Sequence, residues 1–142
     1  MPRGDAKEQI LVIPCSGMGK VQGLISREAA LHVADTLLPG TTDVVCLALL
    51  VTGDTAAQAK VQTHPCVTVD GCPKLCAKKN VELSGGSVAW GVRVYDTLKR
   101  HRGVAFGSPT TLSDAGWAAA EEIAAEIVDA ASRLSREKEQ DS

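Results

Sequence analysis

Cysteine is the residue type in this sequence with the clearest capacity for chemistry, and it occurs at five positions, Cys15, Cys46, Cys66, Cys72 and Cys76. Cys72 and Cys76 are four positions apart, a spacing that places two side chains on one face of a helix. Asp70-Gly71 predicts a turn, and Pro73 suits the first turn of a helix from Cys72 to about Leu83. The dipole at a helix N-terminus favours the thiolate, which is both the metal ligand and the nucleophile. The pair therefore predicts a metal site or a reactive-thiol site.

Three apolar runs predict the strands that would position the cysteines. Gln9 to Pro14 is typical of a strand buried in a parallel sheet, and Cys15 follows it directly. Thr42 to Val51 predicts a second strand, which contains Cys46. Cys66 to Asp70 predicts a third strand, which ends just before the Cys72/Cys76 pair.

The carboxyl ends of parallel strands lie along one edge of a sheet, and sites assemble there. We therefore expect Cys15, Cys72 and Cys76 to converge at that edge. Cys46 joins them only if the second strand ends early, with the residues after it forming a loop; otherwise it is a core residue. Four thiolates suit a closed tetrahedral zinc site, although a gap of three residues between cysteines also occurs in iron–sulfur sites. Cys66 begins the third strand, at the opposite end of the sheet, and is predicted to be structural.

The remaining elements complete an α/β pattern. Ser26 is predicted to cap a first helix that ends at Pro39-Gly40, and Asp54 to Gln62 predicts a short helix. Val88 to Val94 alternates in polarity and predicts a fourth strand, half-buried or at an edge. Thr97 to Gly107 is expected to be a loop.

Ser113 is predicted to cap a last helix with one apolar stripe, which includes Trp117 and Ile123. Strands alternating with helices predict an α/β three-layer sandwich with a mostly parallel, four-stranded, Rossmann-like sheet. We expect one domain over residues 9–135, a disordered lead over 1–8 and a charged tail over 136–142.

Composition limits the classes of function. The chain has 142 residues and a formal net charge of −2, so no electrostatic field favours nucleic acid or an anionic membrane. It has four aromatic residues, too few to form base-stacking platforms. The N-terminus has no apolar segment typical of a secretory signal, which predicts a cytoplasmic protein with reduced thiols.

The segment from Val69 to Lys79, Val-Asp-Gly-Cys-Pro-Lys-Leu-Cys-Ala-Lys-Lys, followed by Glu82 and Ser84-Gly85, resembles the signature of the DGC-domain proteins. These are small prokaryotic proteins described as zinc-binding and named for the Asp-Gly-Cys tripeptide. Further segments resemble the family's first loop, first helix and second strand, so that the resemblance covers about residues 9–95. These segments are Pro14 to Gly17, Ile25 to Ala30 and Val45 to Leu47.

The resemblance implies metal binding through Cys15, Cys46, Cys72 and Cys76, and it promotes Cys46 from a conditional ligand to an expected one. Around these ligands we expect supporting residues. The loop after the first strand, with Ser16 and Gly17, would bring backbone N–H groups to the thiolates. Arg27 would either bind an anionic substrate or be solvated. Asp70 would either orient the turn with Gly71 or act as an acid near the metal.

The sequence thus predicts a cytoplasmic protein that binds zinc through four cysteines, with an accessory, structural or metal-carrier role. The alternative is an iron–sulfur or reactive-thiol protein that acts in sulfur or redox chemistry at the same site. A metal ion is the expected partner; a protein partner stays open, and neither nucleic acid nor a membrane is expected.

Overall fold

The apolar runs of the sequence form a parallel sheet of four strands in the computed structural model. The structure describes residues 9–15, 20–71, 74–101, 103–108 and 110–140, without the side chains of 137–140. The strands, in the spatial order β2-β1-β3-β4, are β1 (Ile10–Pro14), β2 (Thr42–Val44), β3 (Cys66–Asp70) and β4 (Val88–Arg93). The strands β1 and β3 lie in the centre and are buried at every position, as their continuous apolar sequences predict.

Helices cover the sheet on both faces. They are α1 (Val21–His32), which continues as a π-helical segment (Val33–Leu37), α2 (Leu47–Val51), α3 (Thr55–Thr63), α4 (Cys76–Leu83), α5 (Val94–Lys99) and α6 (Asp114–Gln140). The last helix extends into the segment expected as a charged tail. No helix among the described residues is long and apolar enough to cross a membrane.

Two separate hydrophobic clusters form the core, one on each face of the sheet. On one face, α1 and α6 pack against alternate residues of the strands, among them Val12, Val67 and Val92. On the other face, α2, α3 and α4 pack against Leu11, Ile13 and Cys66. Since side chains alternate along a strand, each central strand supplies both clusters. The predicted three-layer α/β architecture is confirmed.

The second strand is shorter than predicted. It ends at Val44, and Leu47–Val51 forms a helix rather than more strand or a loop. Leu47 and Leu50, three positions apart, both pack into the core. A short apolar run suits a buried strand and a buried helix equally, so its composition does not distinguish them.

The first helix begins earlier than predicted, at Val21. Ser26 therefore does not cap it but lies buried in its interior, where the hydroxyl donates a hydrogen bond to the Gln22 carbonyl at 2.9 Å. The cap predicted from Ser113 is confirmed, and the structure adds a cap by Asp54 at the start of α3. The Ser113 hydroxyl accepts from the Gly116 N–H at 3.1 Å, and the Asp54 carboxylate accepts from the Ala57 N–H at 2.9 Å.

Two further expectations need correction. The segment from Thr97 is not all loop, because α5 extends through Lys99. Trp117 is not a core residue, since 48% of its surface is exposed, whereas Ile123 on the same helix is fully buried. The fourth strand is confirmed as an edge strand, with only Val92 fully buried.

Candidate metal centre

Three of the predicted cysteine ligands lie after strand ends, towards the carboxyl edge of the sheet. Cys15 follows the last residue of β1, Cys46 lies two residues beyond the end of β2, and Cys76 begins α4, the helix that follows β3. All these strands are parallel, so their ends lie along one edge. The early end of β2 meets the condition under which the sequence placed Cys46 there.

Backbone hydrogen bonds position the first two thiols. The Cys15 N–H donates to the Val69 carbonyl at 2.7 Å, which extends the β1–β3 pairing, and the residue is only 6% exposed. The Val45 N–H donates to the Val12 carbonyl at 3.0 Å and fixes the chain just before Cys46. Cys46 itself is exposed, so the alternative that it is a core residue is wrong.

Cys76 is the first residue of α4, which corrects the prediction of a helix starting at Cys72. Leu75 has a φ of 53°, in the left-handed region that side chains rarely adopt, and a regular helix cannot run through it. Cys76 is half-buried and packs against the core cluster that includes Leu47 of α2. The helices that begin after Cys46 and at Cys76 therefore share one face of the sheet.

Asp70 connects the end of β3 to the beginning of α4. Its carboxylate accepts hydrogen bonds from the Ala77 N–H at 2.8 Å and from the Lys78 N–H at 3.3 Å. Burial raises the pKa of this carboxyl above its ordinary value, while the two N–H groups and the charges of Lys78 and Lys79 act to lower that pKa. Asp70 thus holds the first turn of α4, and with it Cys76, through its side chain.

Replacing Asp70 by alanine is expected to lower the free energy of unfolding by about 1–3 kcal/mol, because two helix N–H groups lose their acceptor in a buried setting. Asp70→Asn, which keeps one acceptor oxygen, is expected to lose less. Urea unfolding followed by circular dichroism measures both changes. Equal stability of the alanine variant and the natural protein would contradict this role.

Arg27 lies beside Cys46. Both residues line a small, mostly apolar cleft of about 170 Å³. Arg27 is partly buried, and its Nε is buried without a hydrogen-bond partner among the described residues. A buried guanidinium nitrogen without an acceptor favours an anionic neighbour, and a thiolate is one.

Gly71 is placed where the turn after β3 meets the start of α1. A Cβ atom on Gly71 would lie 3.1 Å from the Gln22 Cβ and 3.2 Å from the Gln22 carbonyl carbon. Glycine is therefore required for close packing rather than for an unusual backbone angle. Three other predicted site residues, Ser16, Gly17 and Cys72, lie outside the described residues.

The described residues do not by themselves complete a metal site, because no group of three or more Cys, His, Asp or Glu side chains among them is close enough to hold an ion. The thiols of Cys15, Cys46 and Cys76 also form no hydrogen bond with another described residue. The donor atoms suit a thiophilic metal, and these thiols are available to it.

Cys66 provides the contrast. It is fully buried at the opposite end of β3, and its thiol donates hydrogen bonds to the His64 carbonyl at 3.4 Å and the Val61 carbonyl at 3.6 Å. Burial raises the pKa of this thiol from 9.0 to about 11. The predicted structural role of Cys66 agrees with this environment.

The raised pKa of Cys66 predicts a pH dependence of stability. The unfolded chain loses the thiol proton near pH 9 and the folded chain near pH 11, so the stabilisation is complete below pH 9 and lost as the pH rises to about 11. The expected loss is about 3 kcal/mol. Urea unfolding at several pH values measures it, and Cys66→Ala should remove this part of the slope. An unchanged slope in that variant would contradict the assignment.

Comparison with known proteins gives one match. The chain matches the DGC domain over residues 11–109, more than two thirds of its length. Neither the curated proteins nor the solved structures contain a significant match. The matched region includes the ends of all four strands and all five cysteines. The chain therefore belongs to the DGC-domain family.

Proposed function

We propose that this chain is a cytoplasmic metal-binding protein that holds one zinc ion through Cys15, Cys46, Cys72 and Cys76 and acts as a metal carrier or accessory protein. The observation that carries the proposal is the arrangement at the carboxyl edge of the sheet, where Cys15, Cys46 and Cys76 follow or begin neighbouring elements. Membership of the DGC-domain family supports metal binding in general.

The chemistry of the donors favours zinc. Four thiolates match the tetrahedral coordination of a structural or transport zinc ion and leave no open position for a reacting water molecule. This chain's own residues would assist by lowering the cost of gathering thiolates. The buried Nε of Arg27 offers a positive charge beside Cys46, and Asp70 fixes the helix turn that carries Cys76.

Exposure favours a carrier role over a purely structural one. Cys46 is exposed and Cys76 is half-buried, so an ion at this edge would lie near the protein surface. The two hydrophobic clusters, by contrast, are built from sheet and helix side chains on either side of the sheet. The fold therefore has a core that does not depend on the metal, and a partner can reach the ion.

Metal removal is expected to leave the fold intact. Structural zinc provides about 10–16 kcal/mol in zinc-finger peptides, which unfold without it. Here we expect chelation to lower the free energy of unfolding by less than about 3 kcal/mol and to leave the far-ultraviolet circular dichroism unchanged. Loss of helical signal on chelation would instead assign the ion a structural role.

The experiment that tests the proposed function is elemental analysis of protein purified without oxygen, with an absorption spectrum of the same sample. We expect about one zinc ion per chain and no broad visible band. Bound iron together with a broad visible absorption band would instead support the iron–sulfur alternative. Protein without bound metal whose Cys46 is rapidly alkylated would support the reactive-thiol alternative.

A further inference from the structure

An open cleft of about 410 Å³ lies between α4 and the edge strand β4, beside the proposed metal site, and none of the described cysteines lines it. Its volume falls within the range of small-molecule sites. The residues that line it and carry the argument are Thr68, Asp70, Lys78, Glu82, Gly91 and Arg93.

The cleft exists because two positions in the middle of β4, Ala89 and Gly91, carry little or no side chain. Trp90 and Val92 belong to the opposite face, where Val92 joins the core cluster under α6 and the Trp90 indole donates to Glu126 at 3.3 Å. The intervening positions, Ala89 and Gly91, are exposed. Alternation along the strand therefore places almost no side-chain volume over this part of the sheet.

Thr68 supplies an unsatisfied polar group to the floor of this cleft. It is 0% exposed, and its hydroxyl has no hydrogen-bond partner in the described part of the chain. Gly91 is its partner in the β3–β4 register. A Cβ atom built on Gly91 would lie 3.5 Å from the Thr68 Oγ1, with no other heavy atom beyond the neighbouring residues within 4 Å. The space above Gly91 therefore lies next to a buried hydroxyl that costs about 1–3 kcal/mol to leave unpaired.

The end of the cleft nearest the carboxyl edge carries an excess of positive charge. Arg93 is opposite Asp70 in the strand register, and the Lys78 backbone N–H is bonded to the Asp70 carboxylate. Lys78 and Arg93 thus supply two cations to the lining of the cleft, while the Asp70 oxygens already accept two backbone N–H groups. Neither the Lys78 ammonium nor the Arg93 guanidinium has an ion-pair partner within 4 Å among the described residues.

We propose that this cleft binds a small organic anion, whose carboxylate or phosphate group lies between Lys78 and Arg93 and whose polar body forms a hydrogen bond with Thr68. Guanidinium and ammonium groups together are suited to either anion. Glu82, one helical turn beyond Lys78, closes the other end of the cleft and disfavours a second negative charge there. The site goes beyond the proposed metal binding.

The experiment is a titration of the metal-loaded, nitrogen-15-labelled protein with succinate and, separately, with inorganic phosphate at constant ionic strength. We expect saturable shifts of the Thr68 and Gly91 amide signals with a dissociation constant of about a millimolar. The anion that saturates assigns the group as carboxylate or phosphate. If neither anion gives saturable shifts at these residues, the proposal is wrong.

Matched variants test the residues individually. Lys78→Gln and Arg93→Gln should each raise the dissociation constant about tenfold, whereas Lys79→Gln, which changes the net charge equally outside the cleft, should not. Gly91→Ala should abolish binding by filling the space above Thr68. Thr68→Val should weaken binding while raising the thermal unfolding midpoint, since it removes an unpaired buried hydroxyl.

Equal effects of Lys78→Gln and Lys79→Gln would show a non-specific charge effect and overturn the proposal. Unchanged binding by Gly91→Ala would do the same. Zinc content, measured on every sample, separates this result from the proposed metal binding, because none of these variants changes a cysteine. Binding in the cleft can therefore fail while metal binding is retained, and the reverse.

Discussion

Replacing Cys76 by serine is expected to lower the bound zinc from about one ion per chain to less than about a tenth, the largest functional effect of any single substitution in this protein. Serine keeps the size of the side chain but is a poor ligand for zinc, and Cys76 stands at the first position of α4, where Asp70 holds the turn. Elemental analysis of the purified variant gives the stoichiometry. Cys72→Ser is expected to have the same effect.

Cys66→Ala is the matched control for these variants. It also removes one thiol, but from the buried position at the opposite end of β3, and should keep its zinc. A competition titration with a chromogenic zinc chelator adds the affinity of each variant. Full zinc content in Cys76→Ser, or equal loss in Cys66→Ala, would show that the ligand set is wrong.

Replacing Ile123 by alanine is expected to cost about 3–4 kcal/mol of unfolding free energy, the largest effect on stability that we predict. Ile123 is fully buried where α6 packs on the sheet, in the cluster with Val12, Val67 and Val92. The packed strands cannot close around the lost volume, so a cavity remains. Chemical denaturation of the variant measures the loss.

Trp117→Ala on the same helix is the comparison that makes this test specific. Although tryptophan is the larger residue, 48% of its surface is exposed in the folded chain, and we expect a cost below about 1 kcal/mol. Helix propensity changes little towards alanine at either position. If Trp117→Ala lowered the free energy of unfolding as much as Ile123→Ala, the assignment of the buried face of α6 would be wrong.

Much of the fold was predictable from local pattern. The boundaries of the third strand agree with the predicted ones, and the first strand differs by one residue. Both are central strands, which are buried on both faces of the sheet, so their side chains must be apolar at nearly every position. The cap of α6 was predictable because a side-chain oxygen bonds to an N–H only three residues away.

The failures have a common cause in packing. The sequence from Thr42 to Val51 suits a strand throughout, yet Leu47 and Leu50 form one turn of helix and pack in the same core cluster as Ala77 and Val81 of α4. Likewise, Trp117 has the spacing of the apolar stripe of α6, but the rest of the protein does not cover this part of the stripe, and Trp117 is exposed. Local sequence could not predict either result, because both depend on which other segments pack against these residues.

The candidate site also has features that the sequence predicts and features that it does not. The cysteines and their order relative to the strands are properties of the sequence, and the carboxyl-edge rule converts that order into a shared location. The left-handed Leu75, the hold of Asp70 on α4 and the buried Nε of Arg27 have no sequence signal. Leu75 has a backbone angle that its residue type normally avoids. The Asp70 carboxylate bonds across an irregular turn to an N–H seven residues away, and the burial of the Arg27 Nε depends on how other segments pack around it.

The sequence by itself determined the alternation of strands and helices, the separation of Cys66 from the other thiols and membership of a family defined by Asp70-Gly71-Cys72. Only the tertiary structure decided that Cys46 is exposed and that an open cleft remains over Thr68 and Gly91. The physical reason is that local sequence specifies which backbone conformations are favourable. Exposure and empty space, however, depend on the side chains that other segments place there.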